Sequence, residues 1–136
     1  MTQAGWALQK GIFAKLSADT AVVACLGGQH IYDDVPRNAE FPYLTLGQSA
    51  LVDWSTGTEY GAEHVLTLHV WSRAGGTRET LDIIAAVNEV LKDVPIELPG
   101  HVLVNLRFEY ADARRDPDGE TVHGILRYRA VTETVN

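Results

Sequence analysis

Between residues 3 and 16, apolar side chains recur at helical spacing. Leu8, Ile12 and Leu16 share one face, and Trp6 and Phe13, seven apart, lie on a neighbouring one. This predicts a first helix. Ser17 and Asp19 carry side-chain oxygens able to cap a second, short helix through Val22, Val23 and Leu26. Gly27-Gly28 ends it, because glycine enters left-handed backbone angles without a Cβ clash. A third helix is predicted over 77–92. There Leu81, Ile84, Asn88 and Leu91 form one stripe and Ile83, Val87 and Val90 a second, more apolar surface than one exposed helix carries. Thr77 stands at its cap position, Glu79 and Asp82 suit the positive end of its dipole, and Pro95 closes it.

Strand patterns fill the remainder. Segment 30–36 is short, with Tyr32 and Val35 as apolar anchors ahead of Pro36 and the polar run Arg37-Asn38-Ala39-Glu40, and reads as an edge strand at best. Segments 42–52 and 63–72 are rich in strand formers, the second placing Leu66, Leu68 and Val70 on one face, and predict antiparallel neighbours. The link between them, 53–61, is longer than a tight hairpin requires and holds two large aromatics, Trp54 and Tyr60. These either fold over the edge of the core or anchor a partner. In the last third, Val102, Val104, Leu106, Phe108 and Tyr110 alternate with Leu103, Asn105, Arg107 and Glu109, the period of a half-buried strand. Asp116-Pro117-Asp118-Gly119 has turn chemistry. The return strand, 121–132, sets Leu126, Tyr128 and Ala130 on one face and Arg127 and Arg129 on the other. The expected fold is a single α+β domain over 1–136. It consists of a mostly antiparallel sheet packed against two main helices, N-terminal and central, with a long C-terminal β-hairpin.

Composition narrows the function. A chain of 136 residues, 46% hydrophobic and 21% charged, has the size and balance of one core. No stretch reaches the ~20 apolar residues that cross a bilayer, and the expected location is the cytoplasm. Cys25 lies among Ala21, Val22, Val23, Ala24 and Leu26 and is expected to be a small buried hydrophobe. A net charge of -7 repels phosphate on average, so duplex DNA could pass this protein without being held. Against that average, Arg107, Arg114, Arg115, Arg127 and Arg129 gather in the final hairpin, while most acids lie earlier. They form either a solvated face ion-paired with Glu109, Asp112 and Glu120, or a basic patch that meets an acidic subunit or DNA.

Reactive constellations are not evident. His64 and His69 are five apart in a strand and so point to opposite faces, while His30, His101 and His123 each stand without a second ligand at metal spacing. Asp33-Asp34, Asp112 and Asp116 sit beside turn signals, where carboxylates often serve the backbone. Gly27-Gly28 and Gly75-Gly76 fit no phosphate-binding pattern. No catalytic residue, cofactor or metal is expected, and the candidate contact residues are Trp54, Tyr60, Arg114, Arg115, Asp116 and Asp118.

Five groups of residues carry a resemblance. Tyr32-Asp33-Asp34-Val35-Pro36 is followed by Phe41-Pro42-Tyr43, then by His69-Val70-Trp71-Ser72-Arg73-Ala74-Gly75-Gly76. Arg114-Arg115-Asp116-Pro117-Asp118-Gly119 and His123-Gly124-Ile125-Leu126-Arg127 complete the order. In this succession, over nearly its whole length, the chain resembles the tail-completion, or tail-terminator, family of long-tailed phages, also found in prophages and phage-derived gene transfer particles. The resemblance implies a virion tail protein, assembled in the bacterial host cytoplasm. Its subunits would form a homo-oligomeric ring, typically six-membered, that ends the tail tube and meets the head connector while DNA passes through. The loop around Trp54 and Tyr60 and the tip Asp116 to Gly119 would then be contact elements. The alternatives are another head-tail joining adaptor contacting DNA, or a small-ligand-binding or enzyme domain using the histidines and the acids near Asp116.

Overall fold

The computed structural model describes residues 4–53, 55, 57, 60–92 and 96–134. In chain order these form helices α1 (Ala4–Ser17) and α2 (Thr20–Leu26), strands β1 (Ile31–Tyr32), β2 (Tyr43–Asp53) and β3 (Gly61–Ser72), helix α3 (Arg78–Leu91), and strands β4 (His101–Arg115) and β5 (Val122–Thr134). The sheet order is β1-β2-β3-β5-β4. Every pairing is antiparallel except the two-residue parallel contact of β1 with Leu44 and Thr45 of β2. The expected α+β architecture is therefore present.

Helix α1 lies against β2 and β4, α3 crosses β3, β5 and β4, and α2 packs on both helices. Beneath them the even-numbered residues of β3 and β5, including Leu66, Leu68, Val70, Leu126, Tyr128 and Ala130, join Leu8, Ile12, Leu16, Ile83, Val87 and Leu91 in one core. The odd-numbered residues form the opposite, open face. Tyr128 turns its hydroxyl to the Oδ1 of Asn88, a polar pair spanning sheet and helix. Burial raises the Tyr128 pKa, so the phenol stays a neutral donor.

The second helix is capped as expected: the Asp19 carboxylate accepts from the Val22 backbone N–H at 3.0 Å, and Gly27 closes the helix at φ 76°. Asp19→Ala leaves that N–H without its acceptor and is expected to cost about 1 kcal/mol. Urea denaturation checks this, and an unchanged midpoint would mean that water caps the helix equally well.

Several local expectations are corrected. Thr77 makes no side-chain cap bond; instead Glu79 accepts from the Ser72 hydroxyl at 2.6 Å, tying the first turn of α3 to the end of β3. The buried side of α3 is a single stripe, Thr80, Ile83, Ile84, Val87 and Leu91, which leaves Leu81 exposed. Pro95 lies outside the described residues. Cys25 is half-buried against the core rather than enclosed. The strict alternation expected of β4 is broken by register shifts between Leu103 and Asn105 and between Phe108 and Tyr110. Each shift moves the following residues to the other face. Leu106 and Phe108 thus oppose the buried Ala130 and Tyr128, whereas Val102 and Tyr110 oppose Glu133 and Arg127 on the open face.

Candidate functional site

The chemically distinctive surface is the open face of the sheet. At one end the pairings Tyr43 with Trp71 and Trp71 with His123 align three rings across β2, β3 and β5. Trp71 stacks on His123 with centroids 3.9 Å apart and more loosely on Tyr43 at 6.4 Å, and its indole N–H donates to the Thr45 hydroxyl at 3.3 Å. His69 reaches His123 from the diagonal position, Nδ1 to Nε2 at 2.7 Å, so that one ring nitrogen donates and the other accepts. Both pKa values are lowered: burial is the main cause for each, the neighbouring imidazole adds to it for His69, and Asp116 and Asp112 partly counter it for His123. The two rings are therefore neutral near pH 7 and act as packing groups.

At the other end of this face Arg129 bridges Glu63 at 2.5 Å and Glu109 at 2.9 Å, an acid-base-acid chain across β3, β5 and β4. Arg114 pairs with Asp112 at 2.5 Å, whose carboxylate also accepts from the Tyr110 hydroxyl. Two of the three expected acidic partners are thus engaged, and no ion pair to Glu120 is present among the described residues. The Arg127 guanidinium lies 5.7 Å from the Tyr110 ring centre.

The candidate contact residues are scattered. Asp118 is committed to its own turn, accepting from the backbone N–H groups of Glu120 and Thr121 and from the Thr121 hydroxyl. The backbone of Asp116 bonds Thr121 and Gly119, and Gly119 takes φ 77°. Arg115 reaches the carbonyls of Gly119 and Gly75, which ties the hairpin tip to the loop before α3. Tyr60 stands at the far end of the sheet, 55% exposed, with its carbonyl accepting from Thr134. Trp54 lies outside the described residues. The tip and the Tyr60 loop therefore mark opposite ends of the sheet rather than one site.

Two histidines expected to stand alone do not. His123 is partnered by His69, and His101 lies near enough to His64 for its charge to add to the burial that lowers the His64 pKa. His64 is enclosed, with Nε2 2.8 Å from the Thr132 hydroxyl. The opposite-face placement of His64 and His69 holds. Among the described residues no three His, Cys, Asp or Glu side chains gather at metal-binding distance. A groove between the helices is lined by Lys15, Asp19, Ala21, Ala86, Glu89 and Val90 and includes no histidine.

What the sequence concealed is the condition of the sheet edges. Among the described residues, β4 has no strand partner along its outer edge, apart from the single bridge of His101 with Leu98, and on the other side β2 is covered by β1 only at Leu44 and Thr45. Large apolar side chains stand exposed at both edges: Val102, Val104, Phe108 and Tyr110 on β4, Leu51 and Val52 on β2. Exposed apolar groups in such concentration mark association surfaces more often than solvated ones.

Comparison with known proteins agrees with this picture of a structural part. The chain is 28% identical over 124 residues to the tail completion protein gp17 of Bacillus phage SPP1, covering 90% of each. The solved structure of bacteriophage SPP1 gp17 matches with a TM-score of 0.62 at 26% identity, over 98% of this chain and 91% of that one. A chain in the virion of a native gene transfer agent particle matches more closely in shape, with a TM-score of 0.88 at 32% identity over 97% of this chain and 99% of that one. The profile of the tail completion protein gp17 family fits residues 10–133, and the chain belongs to that family.

Proposed function

We propose that this phage tail structural protein forms a closed homo-oligomeric ring, typically six-membered, that terminates the tail tube and joins it to the head connector. The observation that carries the reading is the exposed apolar surface at the two edges of the sheet, which a lone subunit would leave in water. The likeness to a chain of the gene transfer agent virion, over nearly the full length of both chains, supports it. DNA would pass through the ring without specific binding, as a net charge of -7 favours. Assembly would take place in the bacterial host cytoplasm, and the finished protein would reside in the virion tail.

On this reading the protein has no catalytic duty. Its histidines serve packing: His69 and His123 bind each other, and His64 binds Thr132. Arg114, Arg115, Asp116 and Asp118 would shape the hairpin tip and present it to a neighbour or the connector. Tyr60 stands at the opposite end of the sheet and, with Trp54, would supply the second contact element.

Static light scattering over a concentration series tests the ring. The expected mass rises from the single-chain 14.9 kDa to one discrete closed oligomer, with no larger species at the highest concentration. A protein that stays at the single-chain mass throughout, and remains so when tail-tube protein is added, would remove the ring reading.

A further inference from the structure

The two sheet edges match each other in direction, height, surface chemistry and charge. Strands β2, β3, β5 and β4 alternate in direction, so β2 and β4 run opposite ways across four strands. Copies set side by side in one orientation would therefore bring β4 of one against β2 of the next as antiparallel neighbours, which is the pairing the rest of the sheet already uses. A two-fold dimer through β4 alone would end there, because each edge would be consumed by its like.

Height follows from the register. Val52 lies opposite Glu63, Glu63 opposite Val131, and Val131 opposite Asn105; Leu51 leads in the same way through His64 and Ala130 to Leu106. The uncovered part of β2 is thus level with the first half of β4. At that level one edge exposes Val102 (50%) and Val104 (54%), and the other Leu51 (47%) and Val52 (63%). β1 blocks the remainder of the β2 edge, so pairing is confined to the stretch where both edges are apolar.

Charge adds a second match. The last two residues of β4 are Arg114, paired with Asp112, and Arg115, while the loop that leads into Tyr43, level with Arg114 through Trp71 and His123, carries Asp33, Asp34 and Glu40 against one base, Arg37. Side-by-side copies would bring these two arginines toward that acidic loop, a contact that aids encounter and orientation more than affinity.

We infer that the subunits of the proposed ring join head to tail through their sheet edges. The first half of β4 in one copy pairs with β2 residues 46–53 in the next, and the five-stranded sheets run together into one closed belt. This rests on the ring reading and specifies its interface. Backbone pairing supplies the unused N–H and C=O partners at both edges, and the apolar side chains supply the burial. Because donor and acceptor edges differ, growth stops only by closure.

Cross-linking tests the interface separately from the ring. In a Cys25→Ser background, Val104→Cys and Val52→Cys are made singly and together, all at exposed positions, and treated with a short bismaleimide. The double variant is expected to give a ladder ending at the closed oligomer, and a mixture of the two single variants to give dimers, with neither single variant cross-linking alone. Self-linking of Val104→Cys would show β4 meeting β4 and would overturn the inference. Failure to link while light scattering still reports an oligomer would place the interface elsewhere and leave the ring standing. Failure to link in a protein that keeps the single-chain mass even with tail-tube protein added would remove both.

Discussion

Gly124→Val is expected to lower the stability of the domain by about 3 kcal/mol, the upper part of the range for overpacking a well-filled core. Gly124 lies on the buried face of β5, where the start of α3 crosses. A Cβ there would fall 2.6 Å from Thr80 Cγ2 and 3.3 Å from both Ile84 Cδ1 and Val70 Cβ. Thr80 is fully buried and branched at Cβ, so it has little freedom to turn aside. Relief requires moving the first turn of α3, and that turn is held by the bond from Ser72 to Glu79. Gly76→Ala provides the contrast. Its added Cβ meets nothing within 4 Å, and its φ is not positive, so a change within about 0.5 kcal/mol is expected. Urea denaturation of both variants measures the difference. Equal midpoints would mean that helix and sheet are not held as closely as these distances require.

The same glycine shows why part of this fold was legible in the sequence and part was not. Binary pattern locates elements whose burial is decided within the element, so α1, α2, α3 and the two long antiparallel ribbons were readable from apolar spacing. The alternation of β5 was read correctly because no bulge interrupts it. Strand β4 misled, since its two register shifts move side chains between faces without leaving a glycine or proline to announce them. The requirement for Gly124 comes from a helix that packs there only in three dimensions. The His69–His123 and His64–His101 associations were hidden for the same reason: β3 and β5 lie 54 residues apart at the His69–His123 contact, and their register was unknown. The candidate contact residues were found as turn and loop chemistry; Asp116 and Asp118 bond within their own turn, and Arg115 ties it to the loop before α3. The sheet edges, which carry the proposed interface, depend on strand order, and strand order is written in no single segment. The resemblance to tail-completion proteins did reach the family, whose profile fits residues 10–133.

Acid is expected to destabilise the protein in two separate windows. His64, His69 and His123 all have pKa values lowered from the ordinary 6.5, in each case chiefly by burial. The folded state therefore resists protonation where the unfolded chain accepts it. Above the unfolded value the histidines are neutral in both states and their contribution is intact. As pH falls below about 6.5 the unfolded chain gains protons first, and stability drops until the folded-state values are reached. The His69–His123 bond sharpens this response, because two protonated rings would direct N–H groups at each other across 2.7 Å. The carboxylates act later. Asp112 and Asp118 have pKa values lowered from 3.8, Asp112 mainly by its bond from Arg114 and Asp118 by its bonds from Thr121. Their contribution is present above the unfolded value and is lost only as pH falls through the folded one. Urea midpoints taken from about pH 7.5 down to about pH 3 should therefore decline first below about 6.5 and again near 4. His123→Gln, which keeps a polar side chain that cannot titrate, should reduce the first decline and leave the second. A midpoint that holds constant from pH 7.5 to 5 would show that the three imidazoles are no harder to protonate in the folded protein than in the unfolded chain. The neutral, packed role assigned to them here would then be wrong, and the open sheet face would carry charge wherever it meets its neighbours.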